Sequence, residues 1–181
     1  MNTSSRRMNI ILTGMMGSGK SEVGRRLAKK LGMEFFDMDE NLVKTAGMKI
    51  NDIFARKGEA WFRRLERNLV HCVCLLNNQV ISTGGGVVLD KRNISDFRKN
   101  GTVFYLKAKP EVLFKRVRAS SRRPLLKVEN PLTELKVIYR RRKKLYATCD
   151  FKIVTDGRGI DDVCAEIISK IKKNSGNPSA A

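Results

Sequence analysis

The sequence predicts an α/β fold of three layers, α/β/α, with a central parallel sheet of about five strands. Two observations carry that reading. Short apolar runs recur along the chain, continuous rather than alternating, as strands buried on both faces are. Between them lie stretches whose apolar residues repeat at helical spacing, so strands and helices alternate.

The runs are Ile10–Leu12, Glu34–Phe36, Val80–Ser82, Val103–Leu106 and Phe151–Val154, each bounded by turn signals. After the first, Val23, Leu27 and Leu31 recur at i, i+4 and i+8, which predicts an amphipathic helix. After the second, a short helix is expected over 40–46. A longer one follows, with Phe62, Leu65, Leu69, Val73 and Leu76 as its stripe. Val163, Ile167 and Ile171 mark a last helix.

Two regions stand apart from the layers. Residues 39–66 hold helical material between the second strand and the long helix, which reads as a small subdomain. Residues 119–131 carry prolines and polar residues without periodicity, as a mobile lid would. A single domain is expected, with its folded core over 9–173 and flexible tails at 1–7 and 174–181.

At 181 residues the chain suits one domain with a full hydrophobic core. Hydrophobic residues at 41% with 30% charged read as soluble and globular. No apolar stretch approaches the ~18–20 residues of a membrane span. The run after "MNTSSRRMN" is broken at once by Gly14 and Lys20, so no signal peptide and no membrane partner are expected. The four cysteines form no CxxC pair, which fits reduced thiols and a cytoplasmic setting. Lys and Arg number 37 against 18 Asp and Glu, a net +19 that invites polyanions or phosphorylated small molecules.

"GMMGSGKS", residues 14–21, fits G-x-x-x-x-G-K-[ST] between the first strand and the first helix. In that context several backbone N–H groups can converge on phosphate oxygens at a helix N-terminus. Gly14, Gly17, Ser18, Gly19 and Glu22 then belong to a nucleotide cradle. Lys20 would reach the β- and γ-phosphates, and the Ser21 hydroxyl would ligate Mg²⁺. The expected cofactors are ATP and Mg²⁺. A plain Gly-rich turn is the bland alternative, and the strand before and helix after argue against it.

An acidic residue is expected at the end of a neighbouring strand, aimed at the metal. "FFDMDE" supplies Asp37 for that place, with Asp39 two residues on and one step closer to an acceptor. In an extended segment the two carboxylates point the same way. Asp39 could instead, or in addition, cap the helix at 40–46.

Taken together, "GMMGSGKS", "FFDMDENL", "GMKINDIFARKGEAWFRRLE", "STGGGVV", "RRPLL" and "RRRKKLY", in this order, resemble the shikimate kinases. These are P-loop enzymes of the nucleoside-monophosphate-kinase type, and the likeness spans nearly the whole folded length. It implies transfer of the ATP γ-phosphate to the 3-hydroxyl of shikimate, a step of aromatic amino-acid biosynthesis. Residues 39–66 become a substrate-binding subdomain, and a monomer is expected.

The resemblance also implies roles for single residues. Arg63, at i, i+3 from Glu66, would grip the substrate carboxylate, while Glu66 fixes its orientation. Gly84, Gly85 and Gly86 would bring backbone N–H to the acceptor. Arg123 on the lid would neutralise charge on the transferred phosphoryl, with Arg122 as an open alternative. Arg116 would lie by the adenine, and Arg158 would border it. Arg142 matches the second carboxylate-binding arginine, although this chain has Lys144 where many relatives show proline in R-x-P-L-Y. The choice over Arg141 rests on spacing to Leu145 and Tyr146. Lys20, Asp39 and Arg123 are the expected catalytic groups.

Parts of the sequence also fit other functions. A gluconate or nucleoside-monophosphate kinase would share the P-loop and lid. The net charge also admits a nucleic-acid-binding protein. Yet aromatics are only 7% and Tyr139 and Tyr146 merely flank the basic run Arg140–Lys144, so no specific nucleic acid is expected. His71, Cys72 and Cys74 lack the spacing of a four-ligand zinc site.

Overall fold

The computed structural model describes residues 8–118 and 130–175. Five strands form one parallel sheet: β1 (Asn9–Thr13), β2 (Glu34–Asp37), β3 (Gln79–Ser82), β4 (Gly101–Lys107) and β5 (Phe151–Val154). Their order across the sheet is β2-β3-β1-β4-β5. Each strand coincides with one of the apolar runs; β5 matches its run residue for residue, and the others extend theirs by one to three residues.

Seven α-helices are described: α1 (Lys20–Leu31), α2 (Met38–Ala46), α3 (Ile50–Val73), α4 (Lys91–Lys99), α5 (Pro110–Arg118), α6 (Pro131–Tyr146) and α7 (Ile160–Ser175). Side chains alternate across the sheet and so feed two cores. Ile10, Leu12, Val80, Phe104 and Leu106 pack with Val23 and Leu27 of α1 and Val163 and Ile167 of α7. Ile11, Ile81, Val103 and Tyr105 pack with Val70 of α3, Phe97 of α4, Leu113 of α5 and Tyr146 of α6. Those are the two outer layers.

β1 lies between β3 and β4, paired in parallel with both. The chain leaves it towards β2 on one side and later reaches β4 on the other. A crevice at the C-terminal ends of the strands follows from such a reversal, and ligands of open α/β sheets bind there.

Two expectations need correction. The segment from Asp37 to Asp39 is not extended: β2 ends at Asp37 and α2 begins at Met38. Asp37 is the helix cap, its Oδ1 accepting from the N–H groups of Asp39 and Glu40 at 3.0 and 3.3 Å. Asp39 is therefore a first-turn residue, not the cap. Leu76 does not extend the stripe of α3 either; the helix stops at Val73 and Leu76 is exposed.

Between β2 and the sheet-packed part of α3, Leu42, Ile53 and Phe62 form a separate small core. Gly58 breaks α3 with φ 79° and ψ 166°, a conformation that an L side chain resists. The break divides α3 into an outer arm and a long segment that runs back along the sheet. No described helix is long and apolar enough to cross a membrane.

Candidate active site

The cleft at the strand ends encloses about 530 Å³ and is lined by Gly17, Ser18, Gly19, Lys20, Ser21 and Glu22, with Asp39, Thr83, Arg116, Thr155 and Arg158 among the other walls. The loop between β1 and α1 supplies its floor. Gly17 sits at φ 76°, and a Cβ there would lie 2.6 Å from Val117 Cγ2 and 2.8 Å from Leu113 O. Only glycine fits this turn, on conformation and on space alike.

Gly19 caps α1 in the left-handed region, leaving the first-turn amides of Lys20 and Ser21 facing outward from the helix end. Such a terminus favours anions. Lys20 is buried, and its Nζ donates to Gly14 O at 2.9 Å and Met15 O at 3.1 Å. The ammonium is thereby held against the loop. Ser18 Oγ is buried with no partner among the described residues.

Beside the loop, Ser21 Oγ donates to Asp37 Oδ2 at 2.7 Å and lies 3.2 Å from Ser82 Oγ. The parallel register sets Asp37 opposite Ser82 at the ends of β2 and β3. Three oxygen donors from three elements meet there. Ser82 is not visible as a site residue in the sequence, because its place depends on strand register.

On the far wall, Arg63 and Glu66 form an ion pair on α3, Nη1 to Oε2 at 2.7 Å. Glu59, one turn earlier, takes Nε and Nη2 at 3.2 and 3.0 Å. Burial works against the Arg63 charge, yet Glu66 and Glu59 outweigh it and hold the guanidinium's pKa above its ordinary value. Glu66 behaves differently. Its side chain is only 2% exposed, and burial pushes the carboxyl up against the pull of Arg63, with the Asp39 charge pushing the same way. Glu66 Oε1 has no partner among the described residues.

The loop Gly84–Gly86 runs between these groups. A Cβ on Gly84 would meet Asp39 Oδ1 at 2.8 Å and Glu66 Oε1 at 3.1 Å, and one on Gly86 would strike the Arg63 guanidinium. Glycine is required here because side chains close over the backbone. From α6, Arg142 Nη1 donates to Gly85 O at 3.1 Å, and the Tyr146 hydroxyl donates to the same oxygen. Arg141, by contrast, is exposed. Burial pushes the Tyr146 phenol up to about 12, so it remains a donor at neutral pH. In the sequence Tyr146 stands out only as a spacing mark and as an aromatic flanking the basic run, although i, i+4 from Arg142 places both on one helix face.

Arg116 donates to Thr155 Oγ1 at 3.0 Å and Thr155 O at 2.7 Å, with a longer contact to Gly17 O at 3.5 Å. It ties the P-loop to the end of β5. Arg158 is engaged with Val154 O, Asp162 O and Glu166 while still lining the cleft. Arg122 and Arg123 lie outside the described residues. His71 and Cys72 are exposed on α3, and Cys74 follows its end.

A parallel sheet in this order, a glycine loop opening a helix, and a lysine and serine at its start define a P-loop phosphotransferase. The family model described as shikimate kinase matches residues 16–172. A shikimate kinase of Thermodesulfovibrio yellowstonii is 42% identical over 92% of this chain and 96% of its own length. One of Persephonella marina is 43% identical over 91% and 99%. Among solved structures, shikimate kinase from Acinetobacter baumannii in complex with shikimate superposes with a TM-score of 0.88 at 34% identity, covering 93% of this chain and 94% of that one. The chain belongs to the shikimate kinase family.

Proposed function

We propose that this chain transfers the γ-phosphoryl group of ATP to the 3-hydroxyl of shikimate, yielding ADP, shikimate 3-phosphate and a proton. The observation that supports it most is the position of Asp39. It lines the nucleotide cleft and also lies against Gly84, beside Glu66, on the acceptor wall. A hydroxyl held there faces the phosphate end of the cleft.

In this reading the backbone amides at the start of α1 and the Lys20 ammonium bind the phosphates. Arg63 and Arg142 take the acceptor carboxylate; a guanidinium fork matches its two oxygens. Asp39 orients the attacking hydroxyl and accepts its proton as the O–P bond forms and the bond to ADP breaks. The resemblance assigns Arg123 to the phosphoryl group. Residues 39–66 serve as the acceptor-binding part of one domain, and the chain acts as a monomer in the cytoplasm.

Ser21 Oγ and Asp37 Oδ2, a hydroxyl and a carboxylate oxygen, are the hard donors that suit Mg²⁺. When bound, the ion would neutralise phosphate charge. Among the described residues no group of three His, Cys, Asp or Glu could form a metal cage. That fits an ion held by few side chains together with water and phosphate oxygens.

Asp39→Asn tests the assignment. Loss of the base is expected to lower kcat about 100-fold or more, while MgATP affinity, read by nucleotide titration, stays within about twofold. A near-normal kcat would remove Asp39 from the chemistry.

A further inference from the structure

We propose that Tyr146 is a positioning residue for the acceptor: its hydroxyl holds the Gly85 carbonyl and thereby sets the direction of the Gly86 amide. This rests on the acceptor assignment above. Tyr146 is 1% exposed, and its ring stacks on Tyr105 of β4 at 4.9 Å with planes 9° apart. The ring alone would satisfy the core. The hydroxyl, buried at the end of α6, donates to Gly85 O.

That carbonyl also receives Arg142 Nη1. A trans peptide sets its C=O and N–H in opposite directions, and no peptide among the described residues is cis. Fastening Gly85 O to α6 therefore turns the Gly86 N–H away from α6. On its other flank Gly86 packs against the Arg63 guanidinium. None of the Gly84, Gly85 and Gly86 amides donates to another described residue. Tyr146 thus links the two arginines of the acceptor wall through one peptide plane, and keeps an amide beside them aimed in a fixed direction.

Tyr146→Phe keeps the stack and removes the hydroxyl's hydrogen bond to Gly85 O, leaving only that of Arg142. With shikimate and ATP varied separately, the KM for shikimate is expected to rise about five- to twentyfold, the worth of one or two buried hydrogen bonds, and the KM for ATP to stay within about twofold. Tyr105→Phe, which trims the other ring of the stack, should leave the shikimate KM within about twofold.

Exchange of the Val87 and Leu89 amides, which donate to Gly84 O and Gly86 O, reads the same tether without substrate, and should quicken about fivefold or more in Tyr146→Phe. An unchanged exchange rate overturns the proposal, whatever the enzyme's substrate. So does an unchanged shikimate KM, an equal rise in both KM values, or the same rise in Tyr105→Phe. Failure of the native chain to phosphorylate shikimate would strike the acceptor assignment instead, with the exchange experiment still deciding whether the tether exists.

Discussion

Ser21 Oγ and Asp37 Oδ2 stand 2.7 Å apart, joining the helix that opens behind the P-loop to the end of the neighbouring strand. Asp37 has two tasks on its two oxygens. Oδ1 accepts from the first amides of α2, and Oδ2 faces Ser21.

Those tasks separate by substitution. Asparagine caps a helix about as well as aspartate but carries no charge for a metal. Asp37→Asn is expected to leave Tm within about 2 °C while the Mg²⁺ concentration for half-maximal turnover rises about tenfold or more. Asp37→Ala should lose about 1 kcal/mol of stability in addition, with the cap. An unaltered Mg²⁺ titration in Asp37→Asn would take the residue out of the metal site.

In the proposed function Arg63 recognises the acceptor carboxylate by shape as well as charge. Lysine keeps the charge and loses the fork. Arg63→Lys should raise the KM for shikimate roughly ten- to hundredfold, the range of one or two charge-assisted hydrogen bonds, and leave the KM for ATP within about twofold. Steady-state kinetics with each substrate varied will show it. Equal effects on both substrates would mean that Arg63 supports the fold rather than the acceptor.

Glu66 gives the acceptor wall a pH signature. Burial holds its carboxyl above the ordinary value of 4.5. The stability this contributes is full below that ordinary value and is lost as pH rises through the raised one. Glu66→Gln is neutral throughout and lacks the dependence. The Tm difference, wild type minus variant, should be greatest near pH 4 and shrink towards pH 7, by thermal denaturation in one buffer series. A difference that grows with pH would contradict the burial account.

Much of this was legible in the chain itself, for physical reasons. β1, β3 and β4 are apolar on both faces because helices cover both, so their runs are unbroken and easy to find. The P-loop is legible because its residues are adjacent in sequence and its glycine spacing is demanded by the backbone. Asp39 misled on geometry: a two-residue interval looks extended until Asp37 is known to cap α2. Ser82 was hidden, since only pairing with β2 brings it to Ser21. The part played by the Tyr146 hydroxyl is not legible, because the ring of an aromatic at the end of a basic helix is core, apart from one oxygen. Residues 119–129, which include Arg123, lie outside the described structure, so that assignment stands on resemblance alone.

The central claim is tested most directly by supplying the purified chain with ATP, Mg²⁺ and shikimate and following the products by phosphorus NMR. The account predicts ADP and one new phosphomonoester, formed in equal amounts, on the 3-oxygen of shikimate. Both should vanish when Mg²⁺ is chelated and return when it is restored. ATP left unconsumed by the folded chain, or ADP formed with no phosphorylated shikimate, would contradict it.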